Sequence, residues 1–181
     1  MPGRGGLAAL RVNSVQDARA GARYAGTMAS ESADILGVQR CIARVTHFID
    51  QRRWSELRAL YAAHVETDYT SLFGGTPVTQ AGDALIEGWQ QALRGVTTQH
   101  ILGPVDVEVQ GDRARAECHV RGLHLVPGAP GGEQWEVMGH YVFGLARAGG
   151  GWAIGSMTLE TIAQTGNRQL LAEAAELGRS R

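Results

Sequence analysis

The sequence predicts a single α+β domain in which a strongly curved antiparallel sheet wraps around three N-terminal helices. In the first half of the chain, apolar residues recur at three- and four-residue steps, which is typical of amphipathic helices. From residue 105 onward the period changes to two, and glycine-containing turns separate the runs, which is typical of antiparallel strands. Helices followed by consecutive strands indicate the α+β class.

Length and composition fit one globular domain with short extensions. The chain has 181 residues, of which 44% are hydrophobic and 19% are charged, an ordinary globular profile. Its formal net charge of -1 offers no basic surface for nucleic acid or anionic lipid. No apolar run approaches the ~20 residues that span a bilayer. We therefore expect a small-molecule or protein partner, without nucleic acid and without a membrane.

Cysteine usage and the N-terminal sequence indicate a cytoplasmic protein. Cys41 and Cys118 form neither a CxxC motif nor a disulfide framework, so free thiols in a reducing compartment are favoured over a disulfide. The apolar stretch 7–10 is shorter than the ~7-residue core of a signal peptide.

Three segments follow one another along the chain. Residues 1–33 are rich in Gly, Ala, Arg and Ser without a sustained period, and we expect a weakly ordered extension. The domain is predicted to span 34–165, and 166–181 is predicted to be a helical tail.

The three helices are predicted from their apolar spacing. The first begins at Ile35, and its stripe consists of Ile35, Val38, Cys41, Ile42, Val45, Phe48 and Ile49. A second, short helix is expected from about Trp54 to Ala62. A β-type run at 65–70 and a Gly/Pro turn at 73–77 follow. The third helix opens between Thr79 and Asp83 and carries Leu85, Ile86, Trp89 and Leu93.

The strands are predicted from alternation. Residues 105–109 alternate, and Gly111-Asp112 forms a hairpin turn. In 113–126 the even positions form the buried face, namely Ala114, Ala116, Cys118, Val120, Gly122, His124 and Val126. A strand is expected at 135–147, with one face formed by Trp135, Val137, Tyr141, Phe143 and Leu145. A last strand is expected at 152–162.

Three stretches resemble the SnoaL-like and scytalone-dehydratase-like branch of the NTF2-like superfamily. Residues 54–72, WSELRALYAAHVETDYTSL, resemble the second helix and first strand of that family. Residues 97–108, TTQHILGPVDVE, resemble its Thr-Gln-His segment and the strand after it, and Gly151-Trp152 resembles its late turn. The register between them is nearly ungapped, so the resemblance covers about residues 35–162 and implies an NTF2-like cone.

The resemblance implies four catalytic residues. Asp50 and His100 fall on the family's aspartate and histidine, and Tyr69 falls on the tyrosine that polarises the substrate carbonyl. The second histidine falls on Leu125 without a gap. Strand parity places His124 on the apolar face instead, so we select His124. Predicted substrate contacts are Ile49, Phe73, Trp89, Val120 and Tyr141.

Two departures from the family pattern indicate a different substrate. Ile49 replaces a second tyrosine beside the aspartate, so one polarising hydroxyl is missing. Gly139 and Tyr141 replace a serine and an asparagine that contact the substrate.

An imidazole beside a carboxylate forms a usable base for abstracting a proton α to a carbonyl, and a phenol stabilises the developing enolate. In this hypothesis His124 protonates the departing hydroxyl. Structural roles compete with these assignments: a helix-end turn for Asp50, a hydrogen-bonded strand end for His100, and core packing for Tyr69 and His124.

The remaining histidines and the tryptophans are assigned to structure. His47, His64, His119 and His140 are expected on helix surfaces or the outer face of the sheet, and Trp54, Trp89, Trp135 and Trp152 mainly in the core. The sequence contains no HExxH motif and no Cys/His pair at metal-ligand spacing. His119 and His124 are expected to point to opposite faces of one strand and so could not share a metal ion. We predict neither a metal nor another cofactor.

The sequence favours a cofactor-independent, dehydratase-type lyase or isomerase that acts on a hydrophobic carbonyl compound of polyketide or steroid-like type. The alternative is a non-catalytic binding or dimerisation module. An epoxide hydrolase would need an inner-face arginine, and none is assigned there. The resemblance also implies a homodimer or homotrimer formed through the outer sheet face, where Met138 and Val142 lie.

Overall fold

The computed structural model describes residues 14–179, with the side chains of 30–178. The chain divides into two units, Met1–Asp34 and Ile35–Arg181, and the site described below lies in the second. Helix α1 spans Ser14–Asp50 and therefore begins earlier than the predicted start at Ile35. Alanine is common in this early part, and alanine favours helix without producing an apolar period. Residues 1–13 of the expected extension lie outside the described residues.

The other described elements follow in chain order. The helices are α2 (Trp54–Arg58), α3 (Thr70–Phe73), α4 (Gly82–Ala92) and α5 (Leu170–Arg179). The strands are β1 (Tyr61–Asp68), β2 (Val78–Ala81), β3 (Thr97–Leu102), β4 (Asp106–Gln110), β5 (Arg113–Leu125), β6 (Gln134–Ala148) and β7 (Gly151–Gly166).

The prediction was wrong between residues 59 and 81. Residues 61 and 62 belong to β1 and not to the second helix, and helix α3 spans Thr70–Phe73, between the expected β-type run and the expected turn. Residues 78–81 form β2, where the third helix was expected to open from Thr79. These segments are short, and β2 is a strand because it pairs with β1, which a local pattern does not reveal.

The strands form one seven-stranded curved sheet in the order β2-β1-β7-β6-β5-β3, with β4 also paired to β5. The α+β prediction is confirmed. The sheet is nevertheless mixed, because β1 runs parallel to β7 while the other neighbours are antiparallel. Alternation reveals that a segment is a strand and which face is buried, but not its direction relative to a distant strand.

Two register shifts bend the long β6–β7 ribbon, one at Met138/Gly139 and one at Gly144/Leu145. Such bulges increase local twist and curvature. A Cβ atom at Gly139 would lie 2.3 Å from the carbonyl oxygen of Glu160. Glycine at this position therefore permits the close approach of the two backbones.

The core lies between α1 and the inner face of the sheet. The predicted stripe of α1 is buried from Val38 onward, and Ile35 is half-buried. Every even position of 114–126 is buried, as predicted. The predicted face of β6 is buried as well, so the periodicity correctly identified the inner surface of the central strands.

Helix α1 ends in a Schellman motif. The N–H of Arg53 donates to the carbonyl of Phe48 at 2.9 Å, and the N–H of Arg52 donates to the carbonyl of Ile49 at 3.1 Å. This motif places Arg52 in the left-handed region, with φ of 58°, directly after the helix end that carries Asp50.

Candidate functional site

A cavity of about 180 Å³ opens on the inner face of the sheet. Eight of the nine residues predicted to form the site line it, namely Ile49, Tyr69, Phe73, Trp89, His100, Val120, His124 and Tyr141. Asp50, the ninth, lies behind His100 and contacts its ring. The structure therefore brings all the predicted site residues together around one cavity.

Asp50 and His100 form a close pair. Nδ1 of His100 lies 2.7 Å from Oδ1 of Asp50, and the backbone N–H of His100 donates to Oδ2 of the same carboxylate at 2.7 Å. The His100 side chain is 9% exposed and that of Asp50 is 20% exposed. A carboxylate that accepts from Nδ1–H leaves Nε2 as the ring nitrogen with the free lone pair.

A third donor completes the surroundings of the carboxylate. The hydroxyl of Thr98 donates to Oδ1 of Asp50 at 2.9 Å and accepts from Nη1 of Arg52 at 3.0 Å. Burial raises the pKa of Asp50, but the hydrogen bonds from His100 and Thr98 outweigh it and hold this pKa below its usual value. Asp50 is therefore ionised at neutral pH.

His124 lies across the cavity wall from His100. The two ring centroids are 5.8 Å apart, and the His124 ring is 4.9 Å from that of Trp135. His124 is 9% exposed, and its Nδ1 is buried without a hydrogen-bond partner. Burial, together with the nearby His100, lowers the pKa of His124 to about 4, so this imidazole is neutral at neutral pH.

Strand register explains why His124 and not Leu125 belongs to the site. His124 pairs with Trp135 across β5 and β6, and both residues point into the cavity wall. Leu125 is half-buried and does not line the cavity. The parity argument thus identified the side chain that faces the cavity.

Two tyrosines contribute hydroxyl groups to the wall. The hydroxyl of Tyr69 lies 3.8 Å from the sulfur of Met157, and burial raises the pKa of Tyr69 well above its ordinary value. Burial likewise raises the pKa of Tyr141. Both phenols therefore remain protonated and can donate a hydrogen bond to a ligand.

Phe73 marks the mouth of the cavity. It is 66% exposed although it lines the cavity, and its ring lies 6.3 Å from the rings of both Tyr69 and Trp135. It is the last residue of α3 and the first residue of the Gly/Pro turn predicted at 73–77.

Several lining residues were not predicted, namely Leu72, Ala92, Leu93, Gly122, Trp135, Val137, Leu159 and Leu171. Strand parity contained the signal for Gly122, Trp135 and Val137, which share faces with His124 and Tyr141. Leu171 belongs to α5. That α5 reaches the cavity depends on contacts between distant parts of the chain, which a local sequence pattern does not reveal.

The wall is apolar apart from its histidines and tyrosines. Among the described residues, no acidic or basic side chain other than histidine lines the cavity, so the wall favours an uncharged ligand. Within residues 14–179 no cluster of three or more His, Cys, Asp or Glu side chains could hold a metal ion. None of the described helices is both long and apolar enough to cross a membrane.

Solved structures share this fold. A candidate scytalone dehydratase from Novosphingobium aromaticivorans is 17% identical, with a TM-score of 0.68 over 77% of this chain and 91% of that chain. Hexachlorocyclohexane dehydrochlorinase (LinA) Type2 is 14% identical, with a TM-score of 0.64 over 76% and 90%. An NTF2-like protein with a cystatin-like fold from N. aromaticivorans is 20% identical, with a TM-score of 0.58 over 83% and 90%.

These neighbours confirm the NTF2-like fold that the resemblance implied. No curated protein matches the chain. The sequence profile of the SnoaL-like domain matches residues 30–158, which is most of the chain and includes Asp50, His100 and His124. The chain therefore belongs to the SnoaL-like domain family.

Proposed function

We propose that this protein is a cofactor-independent lyase or isomerase, of the dehydratase type, that acts on an uncharged hydrophobic molecule with a carbonyl group. The observation that carries the proposal is the 2.7 Å contact between His100 Nδ1 and Asp50 Oδ1 beside an apolar cavity. Such a pair suits proton abstraction, because the carboxylate fixes the tautomer that leaves Nε2 unprotonated.

The first step is removal of a proton from the carbon next to the carbonyl. Nε2 of His100 takes the proton, and the C–H electron pair moves toward the carbonyl oxygen. We assign to the Tyr69 hydroxyl, which stays protonated in the cavity wall, a hydrogen bond to the oxygen that becomes negative. The imidazolium that forms on His100 is stabilised by the ionised Asp50.

The second step decides the reaction type. In a dehydratase, the enolate expels a hydroxyl from the β carbon, and this hydroxyl takes the proton held by His100 and leaves as water. In an isomerase, His100 returns the proton to a different carbon and a double bond has moved.

This mechanism changes the role expected for His124. With a pKa lowered to about 4 by burial, neutral His124 lacks the extra proton that an imidazolium acid would donate. We assign proton return to His100 and a contact with the substrate to His124, which lines the cavity.

The names of two structural neighbours support an elimination. One is a candidate scytalone dehydratase and the other a hexachlorocyclohexane dehydrochlorinase. The cavity of about 180 Å³ is close in size to cavities that hold a benzene ring, at ~150 Å³. We therefore favour small cyclic enones and β-hydroxy ketones over steroid-like compounds as first ligands.

The experiment has two stages. Compounds of these classes are first ranked by the thermal stabilisation they give, and the binders are then incubated with the protein in D₂O and followed by NMR. We expect deuterium incorporation or loss of water, and a decrease of roughly 10²–10⁴-fold in His100→Ala. His64→Ala is the control, because His64 is exposed on β1 and does not line the cavity.

Two results would contradict the proposal. Exchange that survives in His100→Ala would remove His100 as the base. Tight binding without any exchange or elimination would instead favour the non-catalytic binding module.

Homo-oligomer formation stays a proposal, supported by apolar side chains on the outer face of the sheet. Met138 and Val142 are half-buried there, and Ile101 and Ile162 are 57% and 65% exposed. We expect sedimentation to show a dimer or trimer that Met138→Glu converts to a monomer.

The cytoplasmic location also stays a proposal. It is supported by the free thiols of Cys41 and Cys118, both buried in the described part of the chain. Fractionation of the source cells would test it.

A further inference from the structure

The conformation of Arg52 calls for an explanation. Among the described residues it is the one non-glycine residue with positive φ, at 58°. It occupies the position of the Schellman motif where glycine is preferred, because a Cβ atom is unfavourable there. A non-glycine residue stays in this conformation only where the surrounding structure holds it there.

The side chain of Arg52 joins the end of α1 to β3 and the turn before it. Nη1 donates to the carbonyl of Ile49 at 2.5 Å and to Oγ1 of Thr98 at 3.0 Å, and Nη2 donates to the carbonyl of Val96. Val96 and Thr98 lie 44 and 46 residues beyond Arg52 in the sequence. One planar guanidinium with several fixed donors can satisfy all three acceptors, whereas an ammonium group is a compact point charge on a flexible stem.

The contact with Thr98 determines the direction of a hydroxyl proton. Thr98 is buried, and its oxygen accepts from Arg52, so its proton is free to point toward Oδ1 of Asp50 at 2.9 Å. The same Oδ1 accepts from His100 Nδ1. Arg52, Thr98, Asp50 and His100 thus form one continuous chain of hydrogen bonds that ends at the cavity.

We propose that Arg52 is a positioning residue for the Asp50–His100 pair. Its guanidinium fixes the Thr98 hydroxyl as a donor to Asp50. The carboxylate is thereby held in the orientation that accepts from His100 Nδ1. The importance of Arg52 for catalysis rests on the proposed function, in which His100 is the base. The effect of Arg52 on the geometry of the Asp50–His100 pair does not depend on that function.

The test uses NMR of the full chain without a substrate. Nitrogen-15 shifts report the tautomer of His100, and carbon-13 shifts report the titration of Asp50. In Arg52→Met we expect a larger population of the Nε2–H tautomer and a rise of the Asp50 pKa, because the Thr98 hydroxyl is then no longer held as a donor to the carboxylate. Methionine keeps the strained backbone and an unbranched chain, so this variant isolates the guanidinium.

Matched variants separate positioning from a general structural role. Arg53→Met is the control, because Arg53 is exposed and pairs with Glu56 at 2.9 Å, away from the cavity. Thr98→Ser keeps the hydroxyl and should resemble the wild type, whereas Thr98→Val should reproduce the effect of Arg52→Met. If Arg52 acts through Thr98, Arg52→Met should add no further change in the Thr98→Val background.

If Arg52→Met does not fold, Arg52→Gly replaces it, since glycine supplies the left-handed conformation and removes the same guanidinium. An unchanged His100 tautomer and Asp50 pKa in whichever variant folds would overturn the proposal. So would equal shifts from Arg52→Met in the wild-type and Thr98→Val backgrounds. Loss of proton exchange is not a readout here, so failure of the base hypothesis would leave this result intact.

Discussion

His100 contacts both oxygens of Asp50 at once, through its ring Nδ1 at 2.7 Å from Oδ1 and through its backbone N–H at 2.7 Å from Oδ2. The backbone contact has a consequence for the ring contact. A backbone N–H is always a donor, so whatever group replaces Oδ2 must be an acceptor. The second group of the same side chain then faces Nδ1.

Asp50→Asn should therefore impose the wrong tautomer on His100. The amide oxygen has to occupy the Oδ2 position, so the NH₂ group faces Nδ1, which must accept, and the ring proton moves to Nε2. We expect proton exchange to fall by roughly 10²–10⁴-fold with the fold retained. Exchange rates and the nitrogen-15 shifts of His100 provide the measurement. An Asp50→Asn variant that keeps the Nδ1–H tautomer would contradict this reasoning.

His124 should make stability depend on pH between about 4 and 6.5. Its pKa is lowered to about 4 in the folded protein from the 6.5 of an unfolded chain. Between these values the unfolded state binds more protons, so stability is full above pH 6.5 and decreases as the pH falls toward 4. The shift corresponds to a loss of about 3 kcal/mol at most.

Urea unfolding of wild type and His124→Gln at several pH values isolates this effect. The free energy of unfolding should fall less steeply between pH 6.5 and 4 in the variant than in the wild type. The difference is the contribution of His124, because the other titrating groups are common to both proteins. Parallel curves for the two proteins would show that the folded protein does not suppress protonation of His124.

Gly122→Ala should disturb the base without unfolding the protein. A Cβ atom there would lie 3.1 Å from Cδ2 and 3.3 Å from Nε2 of His100, and 3.5 Å from Cε1 of His124. We expect a large loss of proton exchange and weaker ligand binding. Gly88→Ala is the control, because Gly88 lies within α4 with nothing within 4 Å of the added Cβ. That change should leave exchange intact and raise stability by about 0.5–1 kcal/mol.

Tyr69→Phe should lower the rate more than it lowers ligand affinity. Its hydroxyl is proposed to stabilise charge that develops only in the transition state, where one donor typically contributes roughly 10²–10³-fold. Tyr61→Phe is a close control, since the Tyr61 hydroxyl lies 3.7 Å from the same Met157 sulfur but does not line the cavity. Equal rates for Tyr69→Phe and Tyr61→Phe would remove the catalytic role of Tyr69.

Much of the fold and the site could be predicted because their signals are local. The stripe of α1 and the alternation of β5 identified the inner surfaces from spacing alone, and parity selected His124 over Leu125. Asp50 and His100 came from the family resemblance.

Other features depend on partners far away along the chain. The parallel pairing of β1 with β7, the strand state of β2 and the contribution of Leu171 arise only when distant segments meet. The link between Arg52 and Thr98 could not be predicted for the same reason, since it joins the end of a helix to a strand 46 residues later.

Asp50 also has a role apart from catalysis, because it blocks strand addition at the edge of the sheet. Strand β3 is the outermost strand beyond β5, and outermost strands offer unpaired amide groups to which a strand of another molecule can add. By accepting from the backbone N–H of His100, Asp50 blocks one such group. Asp50→Ala, which removes the acceptor, should therefore aggregate more readily than Asp50→Asn, whose amide oxygen still accepts from this N–H.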